Sequence, residues 1–446
     1  MWLALMGAGC PSPRTPEAAP QVGIGRQSTG LCPTVYWYPL PMPGPASTTD
    51  CTTLLGKHRI GFYSRMGEGS QTVRLFFAPG RVNLFGGHLD YNGGPVMPTA
   101  IDRGTFLAIR PRADGLVRLQ SRLDSQGLEF VLGQEPREKS GRWVDYPVGV
   151  IRELLELFKE QGDDRRLCGL DILYGGNLPV GAGLSSSASI CVGTAFALNE
   201  VWQLGLNSRQ QVQCALNAER KFVGVQCGIM DPFAIGLAKP GHLLWLDCKD
   251  ESYEHLPIDF DQLSIVVANS GVQRELAAGE FNKRVMQCSQ AYDGLKKFVP
   301  DAQCLRDVDP ISFEKFGSLL EPVLHRRATH VVAEVVRTFA ARQALMDGDY
   351  VRLGMFMTET HRSLRDNFEV SCPELDLLVE AALEVEGCYG SRLTGAGFGG
   401  CTVIMAHPDS VSDVVAHVRE RYSIVKGWMP DVEVFHGDEG PREVQL

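Results

Sequence analysis

The stretch Pro179-Val180-Gly181-Ala182-Gly183-Leu184-Ser185-Ser186-Ser187-Ala188-Ser189 constrains the fold more than any other part of the chain. A buried apolar strand, Leu170–Tyr174, leads into it, and a long small-residue helix beginning near Ser185 leads out. Gly181 and Gly183 remove Cβ atoms where backbone must approach a ligand closely. The serines open a helix whose free N–H groups and dipole attract phosphate. Hydroxyls there can donate to phosphate oxygens or offer Mg²⁺ the oxygen that a hard cation prefers. No G-K-[ST] closes the loop, so it is not a Walker sequence. A plain glycine turn followed by a serine N-cap is the alternative.

At 446 residues the chain is long for one core, and two fused lobes are expected. A strand near Thr72–Phe77 ends at Ala78-Pro79-Gly80, and others follow around Thr105–Arg110 and Leu116–Ser121. Val148, Ile151, Leu154, Leu155 and Phe158 recur at helical spacing. Another helix covers Ser208–Val223, with strands at Leu243–Leu246 and Leu263–Ala268. Residues 280–386 read as mostly helical, and the chain closes with strand, glycine loop, strand and helix. Strands and helices intermingle without regular alternation, which predicts an α+β class with lobes at 69–265 and 266–446. Residues 1–68 hold nine prolines before residue 46 and no sustained hydrophobic period, so they read as a flexible extension. Within them the cluster Tyr36-Trp37-Tyr38 could dock on the body.

The formal charge of −10 argues against general nucleic-acid or anionic-membrane binding. Thirteen scattered cysteines without a C-x-x-C pair read as reduced thiols of a cytoplasmic protein. No apolar run approaches the roughly 20 residues that span a bilayer, and Met1–Cys10 lacks the basic start of a secretion signal.

Gly80-Arg81-Val82-Asn83-Leu84-Phe85-Gly86-Gly87-His88-Leu89-Asp90-Tyr91-Asn92-Gly93-Gly94 gathers Arg, Asn, His and Asp beside five glycines, a composition suited to hydroxyl recognition. Singly, His88 or Asp90 would read as a turn residue serving local backbone. Cys227-Gly228-Ile229-Met230-Asp231-Pro232-Phe233 sets a carboxylate in an apolar, kinked segment. Pairing with Arg81 would offset the cost of burying it and let it orient, or accept a proton from, a hydroxyl; a purely structural salt bridge is the alternative. Glu219, on the preceding helix, could be a metal ligand or an exposed helix residue. Leu393-Thr394-Gly395-Ala396-Gly397-Phe398-Gly399-Gly400-Cys401 is a second glycine-rich turn, either a tight hairpin or a flap over a ligand.

Together these motifs resemble the galactokinase branch of the GHMP kinases over residues 70–425: G-R-V-N-L-x-G-x-H-x-D-Y-N, G-x-G-L-S-S-S-A and L-T-G-x-G-F-G-G-C, in that order. The resemblance implies a two-lobed fold with sugar and ATP between the lobes. Gly181, Gly183, Ser185, Ser186 and Ser187 would hold the ATP phosphates, and Ser187 with Glu219 would hold Mg²⁺. Asp231 would face the anomeric hydroxyl with Arg81 beside it and the γ-phosphate, while His88, Asp90 and Gly228 would bind sugar hydroxyls. The implied partner is a small-molecule sugar, acted on by a monomer without nucleic acid or membrane.

Departures fall on the sugar side. Gly87 and Leu89 replace the glutamate and threonine of the usual G-E-H-T-D-Y, Phe281 stands for a tyrosine, and Pro232 for a glutamine. An intact kinase with a changed pocket is expected: galactose remains the leading substrate, and tolerance at C6 would admit galacturonate, a 6-deoxy sugar or L-arabinose. A sugar-and-ATP sensor without turnover is a second reading, disfavoured by the whole Ser185–Ser187 run. An acid or alcohol kinase of the superfamily is a third, disfavoured by His88–Asn92.

Overall fold

Arg74–Asn83 (β1) is apolar on both faces and buried along nearly its whole length, so it needs cover on either side. The computed structural model describes residues 51–160, 162, 166–179, 182–272 and 277–446. Within it β1 lies in a six-stranded sheet with β3 (Pro98–Arg112), β4 (Leu116–Ser121), β5 (Leu128–Val131), β6 (Gly169–Gly176) and β13 (Arg442–Glu443). The order is β13-β1-β3-β6-β4-β5, antiparallel except where β4 runs parallel to β6.

One face of this sheet carries α2 (Asp145–Glu160), α3 (Ser186–Trp202) and α4 (Ser208–Asn217). Phe76, Leu107, Ile109 and Ile172 pack there against Val148, Ile151, Cys191 and Ala195. The other face carries α1 (Cys51–Met66), whose Leu55, Phe62 and Met66 meet Phe77, Phe106 and Leu173. This helix corrects the expectation that order begins near Thr72. Its buried stripe Leu55, His58, Phe62 and Met66 is at helical spacing, but one member is polar and Ile60 is exposed, so the period is faint in sequence. Tyr36-Trp37-Tyr38 lie outside the described residues.

A four-stranded sheet joins β9 (Ser264–Asn269), β10 (Cys388–Leu393), β11 (Cys401–Ala406) and β12 (Asp431–Phe435) in the order β10-β11-β9-β12. Its Val266, Ala268 and Ile404 pack on α10 (Pro373–Leu383) and α11 (Val411–Lys426). Its Ile265, Val267 and Val403 share a core with Val82, Leu84 and Phe85 from the end of β1. A third sheet orders β2 (Pro95–Val96), β7 (His242–Asp247) and β8 (Tyr253–Pro257) as β2-β7-β8. The helical stretch read in the sequence is α6 (Ala277–Leu295), α7 (Pro310–Phe316), α8 (Pro322–Met346) and α9 (Tyr350–Asp366), with α10. A short helix, α5 (Met230–Gly236), sits between α4 and β7.

Two differences bear on the site. β1 does not stop at Gly80: a register shift between Pro79 and Gly80 lets it run on to Asn83, so Arg81 projects from a strand. The helix at Ser208–Val223 is present, but Ala218–Val223 is wound as a π-helix, a form that concentrates at functional sites.

Candidate active site

The bidentate pair of Arg81 and Asp231 anchors the site. Arg81 Nε and Nη2 donate to Asp231 Oδ1 and Oδ2, each at 2.7 Å. Nη1 donates to the Gly183 carbonyl at 2.6 Å, and Ser185 Oγ to Asp231 Oδ2 at 2.5 Å. Strand β1, the phosphate loop and the first turn of α5 therefore converge on one carboxylate. The Arg81 side chain is 5% exposed and that of Asp231 28%, which leaves the carboxylate accessible from one side. Ser185 holds φ 61° and ψ 46° at the N-cap of α3, a left-handed conformation that costs a non-glycine residue about 1–3 kcal/mol. Its hydroxyl is thereby turned to Asp231 and away from helix capping. Gly181 lies outside the described residues; Gly183, Ser186 and Ser187 lie at or beside the N-terminus of α3.

Glu219 sits on the π-turn and is 3% exposed. Burial, with the nearby Asp231 charge adding to it, pushes its pKa up to about 7 against the opposing hydrogen bond from Ser187. Ser187 and Glu219 are thus together, and the exposed-helix alternative for Glu219 fails. Among the described residues no ion pair reaches Glu219, and no three His, Cys, Asp or Glu side chains gather in metal-binding range. A buried, unpaired carboxylate beside a hydroxyl is an all-oxygen donor set that suits a hard dication completing its shell with phosphate oxygens and water.

In the sugar loop, Asp90 is half-buried near Asp231, and desolvation followed by that like charge raises its pKa to about 6. Gly228 passes so close that any Cβ there would collide with the Asp90 carboxylate, which explains the glycine. His88 holds φ 61° and lies among Phe368, Phe281 and Tyr91, with ring centroids 4.9, 5.9 and 5.9 Å away. Its Nδ1 hydrogen-bonds the Tyr91 hydroxyl at 2.9 Å, and burial pulls its pKa down to about 3, so the ring is neutral. The second glycine turn closes onto the first: a Cβ on Gly395 would stand 2.9 Å from the Gly183 Cα.

Three residues were not legible in sequence. Glu334 of α8 accepts from Gly86 N at 3.1 Å, from Thr360 and from Arg337. His330 of the same helix hydrogen-bonds the Gly87 carbonyl at 3.0 Å and Ser363 Oγ at 2.9 Å. Arg392 of β10 donates to the Leu84 carbonyl at 3.1 Å. Each lies on an ordinary helix or strand far along the chain, and nothing in its local sequence marks it.

Residues 61–111 match the galactokinase galactose-binding signature, 145–239 the GHMP kinases N terminal domain and 341–424 the GHMP kinases C terminal family. A mevalonate kinase structure, 16% identical with a TM-score of 0.58 over 82% of this chain and 99% of that one, shares the fold. That fold and these motifs define a GHMP kinase. Galactokinase of Bacillus subtilis (strain 168) is 41% identical over 387 residues, 86% of this chain and 97% of that protein. Galactokinase of Chloroflexus aggregans is 42% identical over 359 residues, 80% and 90% of the two chains. The crystal structure of Lactococcus lactis galactokinase complexed with galactose superposes with a TM-score of 0.82 at 32% identity, covering 88% of this chain and 100% of that one. This chain belongs to the galactokinase family.

Proposed function

We propose that the protein is a sugar 1-phosphotransferase that moves the γ-phosphoryl group of ATP to the anomeric hydroxyl of galactose. The single observation that carries this reading is the Arg81–Asp231–Ser185 knot, which joins the loop of a galactose-binding signature to the start of a phosphate-binding helix. As the anomeric oxygen bonds to phosphorus, the bond to the β-phosphate oxygen breaks, ADP leaves and the hydroxyl proton departs by way of Asp231. Arg81 holds that carboxylate in place and adds positive charge beside the transferring group. Catalysis of this kind is mostly positioning and charge neutralisation.

Gly183, Ser185, Ser186 and Ser187 bind the phosphates at the α3 N-terminus, with Gly181 of the same motif as a further phosphate-binding residue. Ser187 and Glu219 would hold Mg²⁺, which would supply positive charge against the phosphate oxygens. Asp90, His88 and Gly228 line the sugar side with Gly87 and Phe281. We take the lobes to divide near residue 265, between β8 of the three-stranded sheet and β9 of the four-stranded one. A monomer in the cytoplasm fits the formal net charge of −10, cysteines without a C-x-x-C pair and the lack of any described helix long and apolar enough to cross a membrane.

Incubation with ATP, Mg²⁺ and a panel of pentoses and hexoses tests the reading, with ADP and sugar 1-phosphate as products. Turnover on galactose that collapses in Asp231→Asn is expected. ATP binding without transfer to any sugar would leave a sensor in place of an enzyme.

A further inference from the structure

The glycine turn that closes on the phosphate loop is itself held by a third segment. Its exit, Gly399-Gly400, meets residues 270–272 at the end of β9. Ser270 N and Oγ donate to the Gly400 carbonyl at 2.9 and 2.7 Å, and Gly400 N donates to the Val272 carbonyl at 3.0 Å. A Cβ on Gly400 would stand 3.0 Å from the Ala182 carbonyl, and one on Gly183 would stand 3.1 Å from the Thr394 carbonyl. Turn and phosphate loop are therefore in backbone contact. Where residues 270–272 lie sets how closely the turn covers Ala182 and Gly183.

The support for residues 270–272 comes from α11. Tyr422 is fully buried there and donates its hydroxyl to the Ser270 carbonyl at 2.7 Å. The helix ends at Gly427, where a φ of 78° and an N–H bond to the Ser423 carbonyl turn the chain back. That turn lays Trp428 edge-on against Tyr422, with ring centroids 5.2 Å apart at 77°. The indole rests on Gly271, where a Cβ would stand 2.8 Å from Cζ2 and 3.2 Å from Cζ3. Gly271 also holds φ 64°, so both its backbone and the indole ask for glycine. Trp428 stays 43% exposed, so it acts as a cover over Gly271 and not as part of the core.

We propose that Trp428 is a positioning residue for the nucleotide side of the reaction. Seated on Gly271 and braced by Tyr422, it holds Ser270–Val272 against the glycine turn, and the turn against the phosphate loop. The inference rests on the ATP-dependent kinase reading above. The entry of the turn is fastened separately: Leu393 N donates to His361 Nδ1 and Asn83 N to Thr394 Oγ1, each at 3.3 Å. Loss of the indole therefore loosens the exit over Ala182 and leaves the attachment to the sugar loop in place.

The test uses the full chain with galactose, ATP and Mg²⁺, measuring kcat/KM for ATP and calorimetric binding of ATP and of galactose separately. Trp428→Ala should lower kcat/KM for ATP by about 10–100-fold, the scale on which a displacement of about 1 Å remote from the reacting atoms acts. Galactose binding should stay at the wild-type value. Trp428→Phe keeps a ring on Gly271 and should recover most of the loss. Gly271→Ala pushes a methyl against the indole, so it should cost less in the Trp428→Ala background than in wild type. Wild-type ATP kinetics in Trp428→Ala, an equal loss of galactose binding, or a phenylalanine no better than alanine overturns the proposal while the kinase reading stands. If no sugar is phosphorylated, the kinase reading fails and ATP calorimetry decides alone. Weaker ATP binding in Trp428→Ala that Trp428→Phe restores then supports the positioning role. Unchanged binding, or none in wild type, overturns it.

Discussion

The two ends of the site differ in how their charges are balanced. At the phosphate end the chain supplies both members of the central ion pair, Arg81 and Asp231, and adds Ser185 and the Gly183 carbonyl. At the Gly87 end it supplies a buried Arg392 with only carbonyl partners, a neutral His88 and an Asp90 raised to about 6 by burial. A pre-paired end is rigid before substrate arrives and suits the reacting atoms, which need fixed geometry. An end held by carbonyl and neutral contacts discriminates through shape and hydrogen bonding. The two ends thus differ in charge arrangement, and residues 80–94 contribute Arg81 to one and His88 and Asp90 to the other.

The comparison breaks most visibly at Asp231. Asp231→Asn keeps the shape and removes the charge, and kcat should fall by about 10²–10⁴-fold with little change in sugar affinity. A loss confined to KM would place Asp231 in binding alone. Next in size is Glu334, which ties Gly86 to α8 from a fully buried position. Glu334→Ala leaves Gly86 N without its partner and Arg337 with only the longer contact to Glu359, and should destabilise the fold by about 3–5 kcal/mol, read by denaturant titration. The same variant should raise KM for sugar more than it lowers kcat, because the loop it anchors is the sugar loop. Glu219→Gln addresses the phosphate end: the Mg²⁺ concentration for half-maximal activity should rise at least about tenfold, the scale seen when metal-site support is lost. An unchanged Mg²⁺ requirement would remove Glu219 from the metal site.

The smallest effect concerns pH. His88 has a folded pKa of about 3, below its ordinary 6.5, so its contribution to stability is complete above pH 6.5 and is lost as pH falls toward 3. Asp90 has a folded pKa of about 6, above its ordinary 3.8, so stability rises as pH falls from 6 to 3.8. The two slopes oppose each other between pH 6 and 4. Asp90→Asn removes one of them, and stability of that variant should drop by up to about 1.4 kcal/mol per pH unit more steeply than wild type in that window. Parallel pH profiles would mean that Asp90 titrates near its ordinary value.

Helix α1 shows where sequence reading ran short. Its stripe is Leu55, His58, Phe62 and Met66, and His58 is buried neutral with Nε2 against the Leu173 carbonyl at 3.0 Å. A buried histidine reads as a polar interruption until its carbonyl partner, 115 residues away, is known. The strand β1 was legible, yet its continuation through Pro79-Gly80 was not, because a bulge spends one residue on neither face.

What the sequence by itself determined is local. Glycines at close approaches, serines at a helix start and a carboxylate in an apolar turn have backbone reasons that need no distant partner, and they located the loops and the residues of the chemistry. The pairing of Arg81 with Asp231 could be anticipated because both stood out as costly in isolation. Only the tertiary structure decided which charges remain unpaired. Arg392 reads as an ordinary strand residue beside a glycine turn, and Gly87 as a missing side chain; their adjacency exists only once β10 is folded against the sugar loop. Desolvation depends on everything that packs around a group, and that sum is not written in any one segment of the chain.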